Sequence, residues 1–140
     1  MDRGELIEFV RHRGLAVVAT RDAAGTPEAA LVGIAATDRA ELVFDTSVRS
    51  RKCVNLKAFP RVAVVIGWDD EVSVQGEGVA EVVTGQERDR CLSAYLEQYP
   101  DGRERAADPE IVLVRVRLDW VRHCDYRPES FGIVEGVLDD

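Results

Sequence analysis

Cysteine and histidine are scarce in this chain, and their scarcity excludes two common devices of small proteins. The 140 residues include three cysteines and two histidines, with no CxxC pair. Three widely separated cysteines do not make a disulfide framework, and no cysteine–histidine cluster has the spacing of a zinc site. We therefore interpret Cys53, Cys91 and Cys124 as buried free thiols and predict no metal site.

Long apolar runs and an excess of positive charge are also missing. No apolar stretch approaches the ~20 residues that a membrane span requires, and residues 1–5 lack the basic-then-apolar order of a signal peptide. We expect a cytoplasmic protein that contacts no membrane. The 18 basic residues are outnumbered by 26 acidic residues, which gives a net charge of -8. A nucleic-acid-binding protein has a positive surface, so we expect no nucleic acid among the partners.

Apolar and charged residues, in contrast, are abundant, at 46% and 31% of the chain. This composition supplies both a packed core and a solvated surface. The length fits one domain, and no internal repeat or linker divides the chain. We predict a single domain over residues 1–140.

Hydrophobic periodicity and turn residues predict six or seven strands and three helices. The predicted helices cover about residues 3–13, the segment that ends at Pro60, and the segment from Thr84 to Pro100; the predicted strands cover 15–20, 28–36, 41–46, 62–66, 71–83, about 111–122 and 131–135. Thr84 and Glu87 predict a capping box, and Gly76 and Gly78 predict a bulge. Short connections favour an antiparallel meander of the first three strands, in a sheet that curls into a small barrel.

Three cations stand where the second helix is expected to begin. Arg49, Arg51 and Lys52 lie in residues 46–52, which we call the cationic turn. A helix N-terminus carries unpaired N–H groups and a partial positive charge, so acidic side chains are favoured there. Cations at this position are unfavourable unless an anion binds in front of them.

The cationic turn also offers neutral donors. The hydroxyls of Thr46, Ser47 and Ser50, with free backbone N–H groups, complete a cradle of the size of a phosphate. We interpret the turn as the binding site for the phosphate of a small cofactor. The alternative is a solvated basic turn whose cations pair with nearby acids.

Two further features carry polar groups without identifying a reaction. Ser73 and Gln75 alternate with valines on the long strand and therefore share one face; the alternative is the exposed face of an ordinary strand. His123 and Cys124 are adjacent, and strand neighbours point to opposite faces, which argues against a nucleophile–base pair. No catalytic side chain is identified.

With the cationic turn placed between a strand and a short helix, the chain resembles the pyridoxamine 5'-phosphate oxidase-like flavoproteins. The resemblance covers about residues 6–127. Its core is Leu42-Val-Phe-Asp-Thr46, Ser50-Arg51-Lys52, Asn55-Leu56 and Pro60-Arg-Val-Ala-Val64. The resemblance implies a mainly β (α+β) fold, a six- to seven-stranded antiparallel split β-barrel, which binds FMN as a homodimer with the cofactor at the interface.

The resemblance also implies where the cofactor binds. Arg51 and Lys52 match the residues that contact the FMN phosphate. The end of the third strand meets the cofactor, the second strand lines the flavin ring largely through its backbone, and a polar residue on the long strand reaches the flavin, sometimes from the other subunit. These contacts correspond here to Asp45 and Thr46, to Leu31, Val32 and Gly33, and to Ser73 with Gln75 as a second candidate.

Departures from the oxidase pattern bear on the substrate. The second strand, at residues 30–35, lacks the Arg and Lys of the true oxidase, and the chain end lacks its Arg and His motif for the substrate phosphate. We therefore expect an FMN-dependent oxidoreductase that acts on an unknown small molecule other than pyridoxamine phosphate. The alternatives are a reductase of the same fold that binds the deazaflavin F420, a haem-binding relative with His123 as axial ligand, and a non-catalytic flavin-binding or stress-related protein.

Overall fold

Eight strands and four helices form within residues 1–138, the part of the chain that the computed structural model describes. The helices are α1 (Arg3–Arg13), α2 (Arg51–Ala58), α3 (Gly85–Gln98) and α4 (Gly102–Ala106), and the strands are β1 (Leu15–Arg21), β2 (Pro27–Gly33), β3 (Ala35–Ala36), β4 (Leu42–Ser47), β5 (Arg61–Ile66), β6 (Val72–Val82), β7 (Ile111–Asp125) and β8 (Gly132–Gly136). The short α4 lies in a polar connection for which the sequence predicts no element.

The strands make one antiparallel sheet in the order β2-β1-β5-β6-β7-β4-β3, and β8 pairs with the C-terminal half of β7. The sheet curls until β2 comes close to β4 without pairing to it. This confirms the predicted mainly β (α+β) fold with a curled antiparallel sheet. The predicted three-strand meander is wrong, because the second strand divides into two strands, one that ends at Gly33 and one that begins at Ala35. β2 then pairs with β1, and β3 pairs with β4.

The core fills the concave inner face of this sheet and is closed by α1 and α2. Alternate strand residues point inward, so the buried set recurs with a period of two. Leu6 and Val10 of α1 and Leu56 of α2 join these strand residues. A second apolar cluster lies between α3 and the outer face of β3 and β4, and it includes Val43, Cys91 and Tyr95.

The helix ends show which local signals the fold uses. The α1 helix begins with a capping box between Asp2 and Glu5 and ends at Gly14, which adopts the left-handed conformation with φ 71°. The capping box predicted at Thr84 is wrong, since Thr84 makes no side-chain capping bond. The Glu87 carboxylate instead accepts hydrogen bonds from Arg90 and Arg115, at 2.6 and 2.8 Å.

A β-bulge lies beside Gly78, as the glycine pattern predicts, but its extra residue is Asp119 of β7: Glu77 pairs with Trp120 and Gly78 with Leu118. The pairing with β7 shifts register between Glu77 and Gly78. A Cβ on Gly78 would stand 2.1 Å from the carbonyl oxygen of Arg117, so only glycine fits. The three cysteines are buried and free, which confirms their interpretation.

Candidate functional site

The cationic turn is built by the end of β4 and the first turn of α2. Ser50 is the N-cap of α2, and its hydroxyl oxygen accepts a hydrogen bond from the Cys53 N–H at 3.2 Å. The same hydroxyl lies 2.8 Å from that of Thr46. Whichever hydroxyl donates in this pair, the proton of the other remains available for an external acceptor. No acidic side chain occupies the first turn of α2.

The three cations of the turn differ in their surroundings. Arg49 forms an ion pair with Glu110 at 3.3 Å, as the alternative of a paired basic turn predicts for this residue. The exposed Arg51 and the half-buried Lys52 make no hydrogen bond or ion pair through their side chains within residues 1–138. The two cations at the helix start therefore keep their full donor capacity for an anion.

Asp45, the residue before Thr46, points to the opposite face of the sheet. Its carboxylate accepts a hydrogen bond from Nε of Arg105 at 3.0 Å. Arg105 also donates to the hydroxyl of Tyr95, and burial raises the pKa of Tyr95 to about 12. Arg105 thus balances the charge of Asp45, which would otherwise repel an anion in the neighbouring cationic turn.

The edge strand β2 presents free backbone groups at two of its three candidate positions. Directly opposite pairs in an antiparallel ladder alternate between bonded and non-bonded. The bonds from Ile34 to Gly14 and from Asp22 to Thr26 place the pair of Val32 with Ala16 in the bonded set. The N–H and C=O groups of Leu31 and Gly33 consequently point away from β1, to an edge that no strand pairs with in the described residues.

The side chains of these β2 residues lie in different surroundings. Val32 is buried in the core and offers a cofactor neither its side chain nor its backbone. Leu31 is 61% exposed on the outer face. Gly33 lies against the ring of Tyr99, which a Cβ would approach to 3.0 Å. The Tyr99 hydroxyl donates to the Gly14 carbonyl and fixes α3 beside the end of β2.

The outer face of the sheet carries a straight row of side chains across β2, β1, β5, β6 and β7. Consecutive pairings align one residue from each of these strands. We call this set the outer row: Leu31, Val17, Val65, Gln75 and Arg122. Ser73 lies on the same face, opposite Cys124. Gln75 and Leu31 therefore share one surface, whereas Thr46 points to the inner side with the core residues of β4.

A large open groove lies elsewhere, between α1 and the β7–β8 hairpin. This open groove has a volume of about 1030 Å³, and its lining includes Phe9, His12, His123 and Val134. His123 stands edge-on to Phe9, with ring centroids 6.1 Å apart. Within residues 1–138 no three His, Cys, Asp or Glu residues are placed to hold a metal ion. No helix in this range is long and apolar enough to cross a membrane.

The fold is an antiparallel split barrel, and its basic turn lies between a strand and a short helix. Proteins with this combination form one structural class. The sequence profile of the pyridoxamine 5'-phosphate oxidase family matches residues 3–125. The chain belongs to this family.

The comparisons with individual proteins range from related sequences to a shared fold. The pyridoxine/pyridoxamine 5'-phosphate oxidase of Bordetella avium is 41% identical over 86 residues, which are 61% of this chain and 39% of that enzyme. The chain thus spans about two fifths of the length of this curated relative. A conserved hypothetical protein of Mycobacterium tuberculosis is 27% identical, with a TM-score of 0.75 over 91% of this chain and 86% of its own. A heme binding protein of Mycobacterium smegmatis is 18% identical, with a TM-score of 0.82 over 98% of this chain and 58% of its own; at this identity the likeness shows the fold alone.

Proposed function

We propose that this chain is an FMN-binding flavoprotein in which the cationic turn holds the cofactor phosphate. The observation that carries the proposal is the pair Arg51 and Lys52, whose side chains make no hydrogen bond or ion pair with residues 1–138 and stand at a helix start without acids. Their charges and the remaining hydroxyl proton of the Thr46–Ser50 pair suit a phosphate dianion. Family membership supports the same cofactor, and Asp45 is already neutralised by Arg105.

The free edge of β2 suits the flavin ring. Backbone N–H groups of Leu31 and Gly33 point out of the sheet edge, where they can donate to ring carbonyl and nitrogen acceptors. Hydrogen bonds to the ring tune its reduction potential. Val32 does not contact the flavin ring in this proposal, because its backbone bonds to Ala16 and its side chain is in the core.

A homodimer would bring the remaining candidates to the cofactor. Ser73 and Gln75 lie on the outer face, away from the Thr46 side of the cationic turn, and a second copy can supply them across an interface. The outer row is apolar over Leu31, Val17 and Val65, and Leu31 is 61% exposed. An apolar surface of this kind is typical of a subunit interface.

We further propose an oxidoreductase role with an unknown small molecule as substrate. FMN supplies two-electron redox chemistry when it is bound, and the chain supplies binding, orientation and exclusion of water. Pyridoxamine phosphate is not the proposed substrate, because residues 30–35 carry neither the Arg nor the Lys of the true oxidase. A cytoplasmic location remains a prediction.

The first test is whether the purified protein holds a flavin. We expect a yellow protein whose absorbance spectrum is that of a flavin and which releases FMN on denaturation. Apo protein should regain the spectrum when FMN is added, and NADPH oxidation or oxygen uptake would then show turnover. A colourless protein that binds no added FMN but quenches F420 fluorescence would replace the proposal with the deazaflavin alternative.

Haem binding is the second candidate, and the groove between α1 and β7–β8 favours it. His123 lines this groove of about 1030 Å³ beside Phe9, and an imidazole is a common axial ligand of haem iron. A structural neighbour is a heme binding protein. Titration with hemin should produce a Soret shift that His123→Ala removes; no shift at any hemin concentration would exclude this candidate.

A further inference from the structure

Arg122 is a cation on the outer face whose donors are only partly used. Its side chain is 35% exposed, and its Nε is buried without a hydrogen-bond partner in the described part of the chain. The Glu135 carboxylate lies 3.6 Å from its terminal nitrogen, which is too long for a normal hydrogen bond. Arg61 on the same face is bound by both oxygens of Asp119, at 2.7 and 2.9 Å. Leaving a buried donor unmet costs free energy.

The strand register places Arg122 beside two polar residues of the proposed flavin site. Arg122 pairs with Gln75 across β6 and β7, and Cys124 pairs with Ser73. Directly opposite side chains stand about 5 Å apart and diagonal ones about 7–8 Å apart. Arg122, Gln75 and Ser73 therefore form one cluster, which we call the donor cluster.

The chemistry of the donor cluster selects a ligand with anionic oxygens. A guanidinium has five N–H donors and no acceptor, while the amide and the hydroxyl add further donors. The planar guanidinium binds a carboxylate with two parallel hydrogen bonds. The chain as a whole has a net charge of -8, so selection of an anion at this place must come from these local groups, in competition with the Glu135 carboxylate that pairs with Arg122 across β7 and β8.

The apolar neighbours of the cluster indicate the body of that ligand. Val65 pairs with Gln75, so it lies two strands from Arg122, a distance of about 10 Å at the usual strand spacing. A flat apolar molecule of one or two rings spans this distance. We propose that the donor cluster binds the carboxylate of such a substrate while its rings lie toward Val65. The proposal rests on the proposed function, because it names the substrate class of the same site.

The test compares an acid with its neutral amide. Calorimetric titration of the FMN-loaded protein with 2-naphthoate and with 2-naphthamide measures both affinities. We expect naphthoate to bind at least about tenfold more tightly, as one charge-assisted pair provides. Arg122→Met should abolish this preference, whereas Arg61→Met, a change of the same residue type on the same face, should leave it intact.

Two further measurements distinguish a failure of this inference from a failure of the protein to fold or to bind FMN. If Arg122→Met does not fold by circular dichroism, Arg122→Lys takes its place and should lower the preference because it loses the planar pair. Normal FMN binding with equal affinities for acid and amide would overturn this inference alone. If the protein binds no FMN, the same titration on the protein as purified still tests whether the donor cluster binds a carboxylate. A preference for the acid that survives in Arg122→Met would also overturn this inference.

Discussion

Arg51 and Lys52 carry the proposed phosphate site at the scale of single residues. Replacing Arg51 by Ala should weaken FMN binding by about 1.5–3 kcal/mol, the value of a hydrogen bond between charged groups. Fluorescence titration of the apo protein with FMN measures this difference. Lys57→Ala is the matched control, because Lys57 is an exposed cation in the last turn of the same helix. Equal affinities in the Arg51 variant and the wild type would remove the phosphate assignment.

Glu41 contrasts with Arg51 and Lys52, because it is a buried charge whose partners lie within the chain. Burial alone would raise the pKa of Glu41, but hydrogen bonds from Arg90 and Thr37 with the charges of Arg90 and Arg115 outweigh it and hold the pKa below its ordinary value of 4.5. A lowered pKa means that Glu41 stabilises the fold above this value and loses the effect as the pH falls through the folded pKa.

Replacement of Glu41 by Gln should therefore reduce stability in a pH-dependent way. At pH 7 the free energy of unfolding should fall by about 3 kcal/mol, because Arg90, Arg115 and Arg117 lose a buried anionic partner. The difference from the wild type should shrink as the pH falls below 4.5. Urea unfolding of both proteins between pH 7 and pH 3 measures it, and a difference independent of pH would contradict the assignment.

Residue types and spacing identified the candidate site but not the partners of its members. The cationic turn could be read from residues 46–52 because helix starts have a simple electrostatic rule. The pairing of Arg49 with Glu110 and of Asp45 with Arg105 joins residues about 60 positions apart in the chain, so no local pattern contains it. The role of Arg122 depends likewise on the register of β6 and β7.

At the scale of elements, hydrophobic periodicity predicted the main helices and strands well. The α1 helix covers the predicted residues and ends at the predicted glycine, since both its apolar face and its cap are local signals. Predictions failed where a distant contact competes. The Glu87 carboxylate binds Arg115, 28 residues further along the chain, and makes no capping box, and residues 35–36 of the predicted second strand pair with β4 instead of β1.

The β-bulge between Gly78 of β6 and Asp119 of β7 provides a test at this scale. Gly78→Ala should lower the free energy of unfolding by about 3 kcal/mol, because a Cβ would overlap the backbone of β7 at Arg117. Gly132→Ala is the control in another strand: the nearest atom to its added Cβ is 3.9 Å away, so it should be nearly neutral. Urea denaturation measures both changes. Equal changes in the free energy of unfolding for the two variants would contradict this prediction, because β6 and β7 would then accommodate the added Cβ without strain.

At the scale of the whole molecule, the apolar part of the outer row, which includes the 61% exposed Leu31, predicts self-association. Leu31→Lys should convert a dimer to a monomer, because a charge buried in an apolar interface loses its hydration. Analytical ultracentrifugation measures the mass. Val54→Lys is the control, since Val54 is similarly exposed at 58% against 61% for Leu31 but lies on α2. A wild-type monomer, or a dimer that persists in Leu31→Lys, would contradict an interface on this face.

The curled sheet was predictable as a whole, but the use of its two faces was not. Alternation along each strand indicates one inner and one outer side, yet only the register across β2, β1, β5 and β6 reveals the outer row. The same register shows that the backbone N–H and C=O groups of Leu31 and Gly33 point away from β1, whereas those of Val32 bond to Ala16. The sheet pairing therefore determines which of the three predicted contact residues on β2 can offer backbone groups to a cofactor.

The most direct measurement of the central claim compares FMN with riboflavin, which has the same ring system and no phosphate. We predict that the apo protein binds FMN at least about tenfold more tightly than riboflavin, and that the double variant Arg51→Ala, Lys52→Ala loses most of this preference, because only the hydroxyl donors of Thr46 and Ser50 remain for the phosphate. Equal affinities in the wild type, or an undiminished preference for FMN in the double variant, would contradict the phosphate site.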